Sequence, residues 1–164
     1  MFKSILSIII LIVITVFSSL HAQHKISNLF RKFRNDEGVQ HFNLSGDVTK
    51  MLQGKDHPLK SKVDEMHVYL FSKNQDIGPT DQKKIEQSLR TEKFEMLVKT
   101  TYKDGQVILH GKEANGFLTQ VYAEINLNGS AVYLILYGKI LLGELSKMNF
   151  NFEGSKALKS IPAP

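Results

Sequence analysis

The sequence predicts an α+β domain: an antiparallel sheet of about six strands, the last four a C-terminal meander, with helices mainly on one face. Three observations carry this. Between Phe94 and Gly138, apolar runs are separated by Asp104-Gly105, Asn115-Gly116 and Asn128-Gly129, each placing a glycine where a tight hairpin takes positive φ. Upstream, Val39 to Leu44 and Glu65 to Phe71 have the composition of two further strands. Apolar residues at helical spacing stand between and before them, at Ile26, Leu29, Phe30 and Phe33 and again at Ile85 and Leu89.

The first helix is expected over Lys25 to Glu37, closed by Gly38 as a left-handed stop. Its other positions carry Lys25, Arg31, Lys32 and Arg34. A basic amphipathic helix of this kind docks on anionic lipid or packs on a core, and the narrow apolar stripe favours the core. After the first strand, Ser45-Gly46-Asp47 offers capping residues for a short helix with Val48, Met51 and Leu52, ended by Gly54. Lys55 to Lys62 is polar, contains His57-Pro58 and reads as an exposed loop. In the second strand Met66, Val68 and Leu70 alternate with Tyr69 and Phe71, so both faces should be covered.

Thr80 is placed to cap a helix running to about Arg90. The meander strands follow at about Phe94 to Tyr102, Gln106 to Lys112, Gly116 to Leu127 and Ser130 to Tyr137. In the third of these, Phe117, Thr119, Val121, Ala123 and Ile125 take one face; Leu118, Gln120, Tyr122 and Glu124 take a second, partly wet one. Leu141, Leu142, Leu145 and Met148 mark a last amphipathic helix, with Phe150 and Phe152 available to dock behind it.

The ends suggest export. Lys3 precedes an apolar run from Ile5 to Phe17 broken only by Ser7 and Thr15, and Ser18-Ser19-Leu20-His21-Ala22 follows. A basic start, an apolar core and a small residue at the cut site describe a secretory signal peptide over residues 1–22, cleaved after Ala22. A retained membrane anchor is the rival, but it needs about 20 apolar residues. Residues 23–152 then form a single domain, and residues 153–164 a flexible tail. The expected location is the periplasm or the cell exterior, with no transmembrane segment after cleavage.

Composition removes several chemistries. With no cysteine there is no disulfide, thiolate metal site, cysteine nucleophile or lipid-modified cysteine anchor. The formal charge of +5 is dispersed along the chain, without the clustered aromatic platforms of nucleic-acid binding. No P-loop, dinucleotide glycine pattern or G-x-S-x-G elbow occurs, and Ser45 suits helix entry better than nucleophilic attack. Asn43-Leu44-Ser45 and Asn128-Gly129-Ser130 match a glycosylation sequon but suit turn and cap roles first.

Leu29 to Leu52 (LFRKFRNDEGVQHFNLSGDVTKML), Val63 to Ser72 (VDEMHVYLFS) and the stretch from Phe94 through LLGELSKM ending at Met148 together resemble a bacterial envelope family classified as domain of unknown function 4252. The shared pattern is a helix ending in an acidic-Glu-Gly-Val step, a strand, a short helix closing on Met-Leu, and a helix-to-meander second half. The resemblance covers nearly all of the chain after Ala22 and implies a signal peptide and an α+β domain. Several family members are anchored through a lipid-modified cysteine that this chain lacks. The family supplies no catalytic residues to carry over.

Candidate sites are few. His41, His67 and His110 stand on predicted strands and could bind metal only by long-range convergence; three surface or hydrogen-bonded histidines is the plainer account. His24, second in the processed chain, could hold copper with a free amine. Glu65 and His67 share a strand side, unlike Asp64, and have the elements of acid/base chemistry; a polar rim explains them as well. Tyr122, Tyr133 and Tyr137 on neighbouring strands make a partner-binding sheet face, or the second side of a buried sheet.

The expectation is therefore a non-enzymatic envelope domain without a cofactor, binding another envelope protein or its own copy through a sheet face or edge. The alternative is a small-molecule or lipid carrier with its ligand between sheet and helices, although no depletion of large side chains marks such a cavity. An enzyme using converging histidines or carboxylates comes third.

Overall fold

The computed structural model describes residues 25–54, 58–151 and 155. The signal-peptide cleavage site, His24, His57, Phe152 and most of the tail lie outside the described residues. Six antiparallel strands form one sheet in the order β1-β2-β6-β5-β4-β3. They are β1 (Val39–Ser45), β2 (Lys62–Phe71), β3 (Glu95–Tyr102), β4 (Gly105–Ala114), β5 (Phe117–Leu127) and β6 (Ser130–Ile140). The meander β3 to β6 is thus extended past β6 by β2, with β1 on the outer edge. No helix among the described residues is long and apolar enough to cross a membrane.

Two of the three expected glycine turns have the expected geometry. Asn115 and Gly116 (φ 56° and 79°) and Asn128 and Gly129 (φ 53° and 77°) each put both turn residues at positive φ, which matches the right-handed twist of the strands they join. The β3–β4 hairpin is different: it turns on Lys103-Asp104, and Gly105 already pairs with Tyr102 and Leu127 as the first residue of β4. Gly105 is needed for closeness, since a Cβ there would lie 1.8 Å from the Asn126 carbonyl oxygen.

Both faces of the sheet are covered. On one, Ile26, Phe30 and Phe33 from α1 (Lys25–Phe30) and the 3-10 turn Arg31–Asn35 join Ile85 and Leu89 from α3 (Pro79–Thr91) over Tyr69, Tyr122, Tyr133 and Ile135. On the other, Val48 and Leu52 at α2 (Thr49–Leu52) and Leu145, Met148 and Phe150 near the C-terminus close over Met66, Val68, Val121, Leu134 and Leu136. Both long helical elements therefore share one face, and only short pieces cover the second.

Several boundaries correct the sequence reading. The stretch from Lys25 to Glu37 is six residues of α-helix followed by a 3-10 turn rather than one helix. The helix α3 starts from Gly78, with Pro79 in its first turn, so Thr80 is not its cap; a proline there forfeits no hydrogen bond. Ser45 to Asp47 do not cap α2 with a side chain. Instead the Thr49 hydroxyl accepts a hydrogen bond from the Val63 backbone N–H at 2.8 Å, tying α2 to β2. The last helix is a 3-10 turn, Leu142–Lys147.

The predicted alternation of β5 fails at one residue. Register slips between Leu118 and Gln120 against both neighbours: against β4 it leaves Thr119 as an extra residue on β5, and against β6 the extra residue lies on β6, between Tyr137 and Ile140. That bulge returns Leu118 to the face of Val121, Ala123 and Ile125. The Thr119 hydroxyl donates to the Lys112 carbonyl at 3.0 Å, satisfying an acceptor beside the interrupted ladder.

The 3-10 turn Leu142–Lys147 is tied to the start of β2 by Glu144. Its carboxylate accepts from Lys60 N at 3.0 Å, Ser61 N at 2.7 Å and Ser61 Oγ at 2.6 Å. Burial pushes the Glu144 pKa up, but the Ser61 and Lys60 hydrogen bonds outweigh it and hold it below the ordinary value. Such a group stabilises the fold above its unfolded pKa, and that contribution is lost as pH falls through the folded value. Glu144→Gln should therefore cost about 1 kcal/mol at neutral pH, where three charge-assisted bonds are lost but solvent screens them. Urea titrations should show the difference shrinking as pH falls through the lowered Glu144 pKa; a pH-independent difference would contradict the assignment.

A polar groove between α3 and the sheet

The strand alternation decides which side chains meet beneath α3. On β5, Tyr122, Glu124 and Asn126 point to the same face, and the ladder places His110, Ile108 and Gln106 of β4 opposite them in turn. On the other side of β5, Tyr133 of β6 pairs with Glu124. The helix α3 brings Ile85, Glu86 and Leu89, while Phe94, Met96 and Lys99 close the β3 side. Between them lies a groove of about 720 Å³, open to solvent, with Asp76 at its mouth. That volume falls within the range of small-molecule sites.

The groove has an apolar end and a polar end. Met96 pairs with His110 at the end lined by Leu89 and Phe94, whereas Gln106 of β4 pairs with Asn126 of β5 toward the end that Glu124 and Asp76 also line. Asp76 Oδ1 accepts a hydrogen bond from the Tyr133 hydroxyl and another, at 2.6 Å, from the Ile77 backbone N–H. Asn126 Nδ2 donates to Glu124 Oε1 at 2.8 Å. Two buried atoms are left over: Asn126 Oδ1 and His110 Nδ1 have no hydrogen-bond partner among the described residues.

Electrostatics follow from this enclosure. Burial, then the nearby Asp76 carboxylate, raises the Glu124 pKa; Glu86 adds to this, while the Asn126 bond and Lys99 oppose it. Burial and the bond to Asp76 push the Tyr133 hydroxyl far above its usual range, and burial does the same for Tyr122. His110 is lowered by burial, so it is held toward the neutral form.

The tyrosine face is a correction to the sequence reading. Tyr122 and Tyr133 are each 1 % exposed and Tyr137 is 8 % exposed, so none of the three offers a surface to a protein partner. Helix α1 lies over them, with Phe30 at 6.0 Å from the Tyr122 ring and 5.3 Å from the Tyr133 ring. Tyr122 and Tyr133 line the groove, and Tyr137 lies beyond it, its pKa raised to about 12 chiefly by burial.

The three candidate histidines do not converge. His41 and His67 meet across β1 and β2, with Nε2 of one 3.5 Å from Nδ1 of the other. Glu65 Oε1 lies 2.8 Å from His67 Nε2, so the Glu65–His67 pairing expected from alternation exists, but both ring nitrogens of the buried His67 are occupied. Burial, Arg34 and His67 lower the His41 pKa. His110 stands on β4, with β6 and β5 between it and β2. Among the described residues no group of three or more His, Asp or Glu side chains could hold a metal ion.

Sequence reasoning did not single out Asp76, Glu124 or Asn126. A signal was present: a Tyr-x-Glu-x-Asn alternation on a strand with apolar residues at every intervening position means polar groups facing a cavity or water.

No curated protein and no solved structure matches this chain. The family described as Domain of unknown function (DUF4252) matches residues 33–148, a span that runs from the 3-10 turn after α1 through all six strands to Met148 and includes every groove residue named above. The chain belongs to the DUF4252 family.

Proposed function

We propose that this chain is an exported, non-enzymatic domain that binds a small molecule in the groove between α3 and the β3–β6 sheet face. The observation that supports it is the groove itself: about 720 Å³ lined by both polar and apolar side chains, with the buried atoms Asn126 Oδ1 and His110 Nδ1 left without partners among the described residues. Unfilled hydrogen-bond capacity in a buried place is costly, and a bound molecule or ordered water is what offsets it. The groove does not need depletion of large side chains; it arises because α3 stands off from the half-buried β4 residues Gln106, Ile108 and His110.

A second reading has its own support. The outer edge strand β1 is uncharged along VQHFNLS, runs in unbroken register with β2, and leaves Phe42 50 % exposed. The opposite edge, β3, is guarded by a bulge between Met96 and Val98 and by Lys99. An unguarded edge accepts an extended strand from another protein or a second copy.

Native mass spectrometry on the protein recovered from its exported fraction separates these readings. The first expects a chain beginning at Gln23 that carries an added small mass, absent in Ile108→Trp, which fills the groove. A bare chain in both forms, with no ligand from a chemically mixed panel raising the melting temperature, would remove it. Association lost in Phe42→Lys would instead support the edge.

A further inference from the structure

We infer that the groove takes an organic ammonium: a molecule with an apolar body against Leu89, Phe94 and Met96 and a protonated amine directed at Glu124, Asp76 and the amide oxygen of Asn126. This rests on the groove reading and assigns its ligand class. The arrangement of donors and acceptors carries it. Asn126 directs one amide N–H at Glu124, and its Oδ1, an acceptor, is buried and unpartnered. Tyr133 likewise spends its hydroxyl proton on Asp76. Gln106 and the second Asn126 N–H add donors, but the two carboxylates and Asn126 Oδ1 make the polar end richer in acceptors, which favours a ligand that donates hydrogen bonds.

Charge points the same way. Among the described residues neither Asp76 nor Glu124 has a salt-bridge partner. The cationic side chains lining the groove, Arg90 and Lys99, are exposed at its rim, while Glu124 is partly buried on the floor. An ammonium supplies the missing countercharge and up to three donors to the three acceptors. An anionic ligand would meet two carboxylates and an amide oxygen at the same place.

The apolar part of the lining, Leu89, Phe94 and Met96, favours an alkyl or aryl amine over a small hydrophilic one. Glu124 also makes the binding pH-dependent. The groups around it are Asp76 from the loop before α3, Glu86 from α3, Lys99 from β3, Tyr122 and Asn126 from β5, and Tyr133 from β6. With its pKa raised, Glu124 holds its proton to higher pH than an ordinary carboxyl, and an ammonium binds the ionised form.

Calorimetric titration of the full chain with n-octylammonium, octanoate and octanol tests this. Octylammonium should bind at least about tenfold tighter than either of the others, and Glu124→Gln should weaken it by about tenfold or more while leaving octanol unchanged. Affinity for octylammonium should fall as pH drops from about 8 to about 5, where the amine itself stays charged. Asp76→Asn keeps an acceptor for Tyr133 and Ile77, so its loss of affinity reports charge rather than fold. If octanoate or octanol binds as tightly as the amine and Ile108→Trp abolishes it, the groove binds ligands but the ammonium assignment is wrong. If Glu124→Gln folds and binds octylammonium unchanged, the assignment also falls. Absence of binding by all three overturns it.

Discussion

Phe30→Ala should lower the unfolding free energy by about 3–5 kcal/mol, the range for removing a fully buried phenylalanine from a packed site. Phe30 is 0 % exposed and meets four aromatic rings: Phe33 at 5.8 Å, Tyr69 at 5.0 Å, Tyr133 at 5.3 Å and Tyr122 at 6.0 Å. It also anchors α1, a helix of six residues, which is too short to persist without tertiary contacts. The truncation removes the ring that packs on Tyr69 and Tyr133 and weakens the docking of α1. Urea-induced unfolding gives the loss directly, and Phe30→Leu, which restores most of the volume, should recover over half of it. A loss below about 1 kcal/mol would mean that α1 is not docked on the sheet as described.

Gly138→Ala should cost as much, about 3 kcal/mol or more, for a different reason. Gly138 pairs with Val63 across the central strands β6 and β2, and a Cβ built on it lies 2.0 Å from the Lys62 carbonyl oxygen and 3.0 Å from Val63 Cα. Its φ of 156° is one that L-residues rarely adopt. The obstacle is the β2 backbone at Lys62 and Val63, so no side chain can swing away. Register already slips beside it, at Asp64 on β2, and the substitution would force the two strands apart at that irregular point. Gly116→Ala is the control: its φ is 79° but nothing lies within 4 Å of the added atom, so only the cost of a left-handed alanine remains, about 1 kcal/mol. Equal losses at the two positions would contradict the close approach.

Much of the fold was legible because its signals are local. Asn115-Gly116 and Asn128-Gly129 specify their hairpins through the conformations of two adjacent residues, and the alternation of Met66 and Val68 against Tyr69 and Phe71 already requires cover on both sides of β2. The Asp104-Gly105 turn shows the limit of that logic. The pair looks like the others, yet Gly105 is required by the nearness of Asn126, which is a neighbour only in three dimensions.

The groove was less legible. Glu124 and Tyr122 were placed on a partly wet face, which is correct as far as alternation goes, but a strand pattern cannot say whether the wet face is open, partly roofed or covered. Helix α3 roofs part of it, and Asp76 enters from a loop 48 residues away from Glu124 in the chain. Tyr122, Tyr133 and Tyr137 illustrate the same gap: tyrosine suits a binding surface and a buried sheet equally well, and the position of α1 decided between them.

By itself the sequence determined the α+β class, the number of strands, two of the hairpin turns and the absence of cysteine chemistry, because each depends on residue identity or on side chains a few positions apart. Only the tertiary structure decided that β2 closes on β6, that Thr119 bulges and returns Leu118 to the core, that His41 meets His67 while His110 does not, and that a polar groove lies beneath α3. Those outcomes come from many distant contacts being satisfied together when two apolar faces are buried at once.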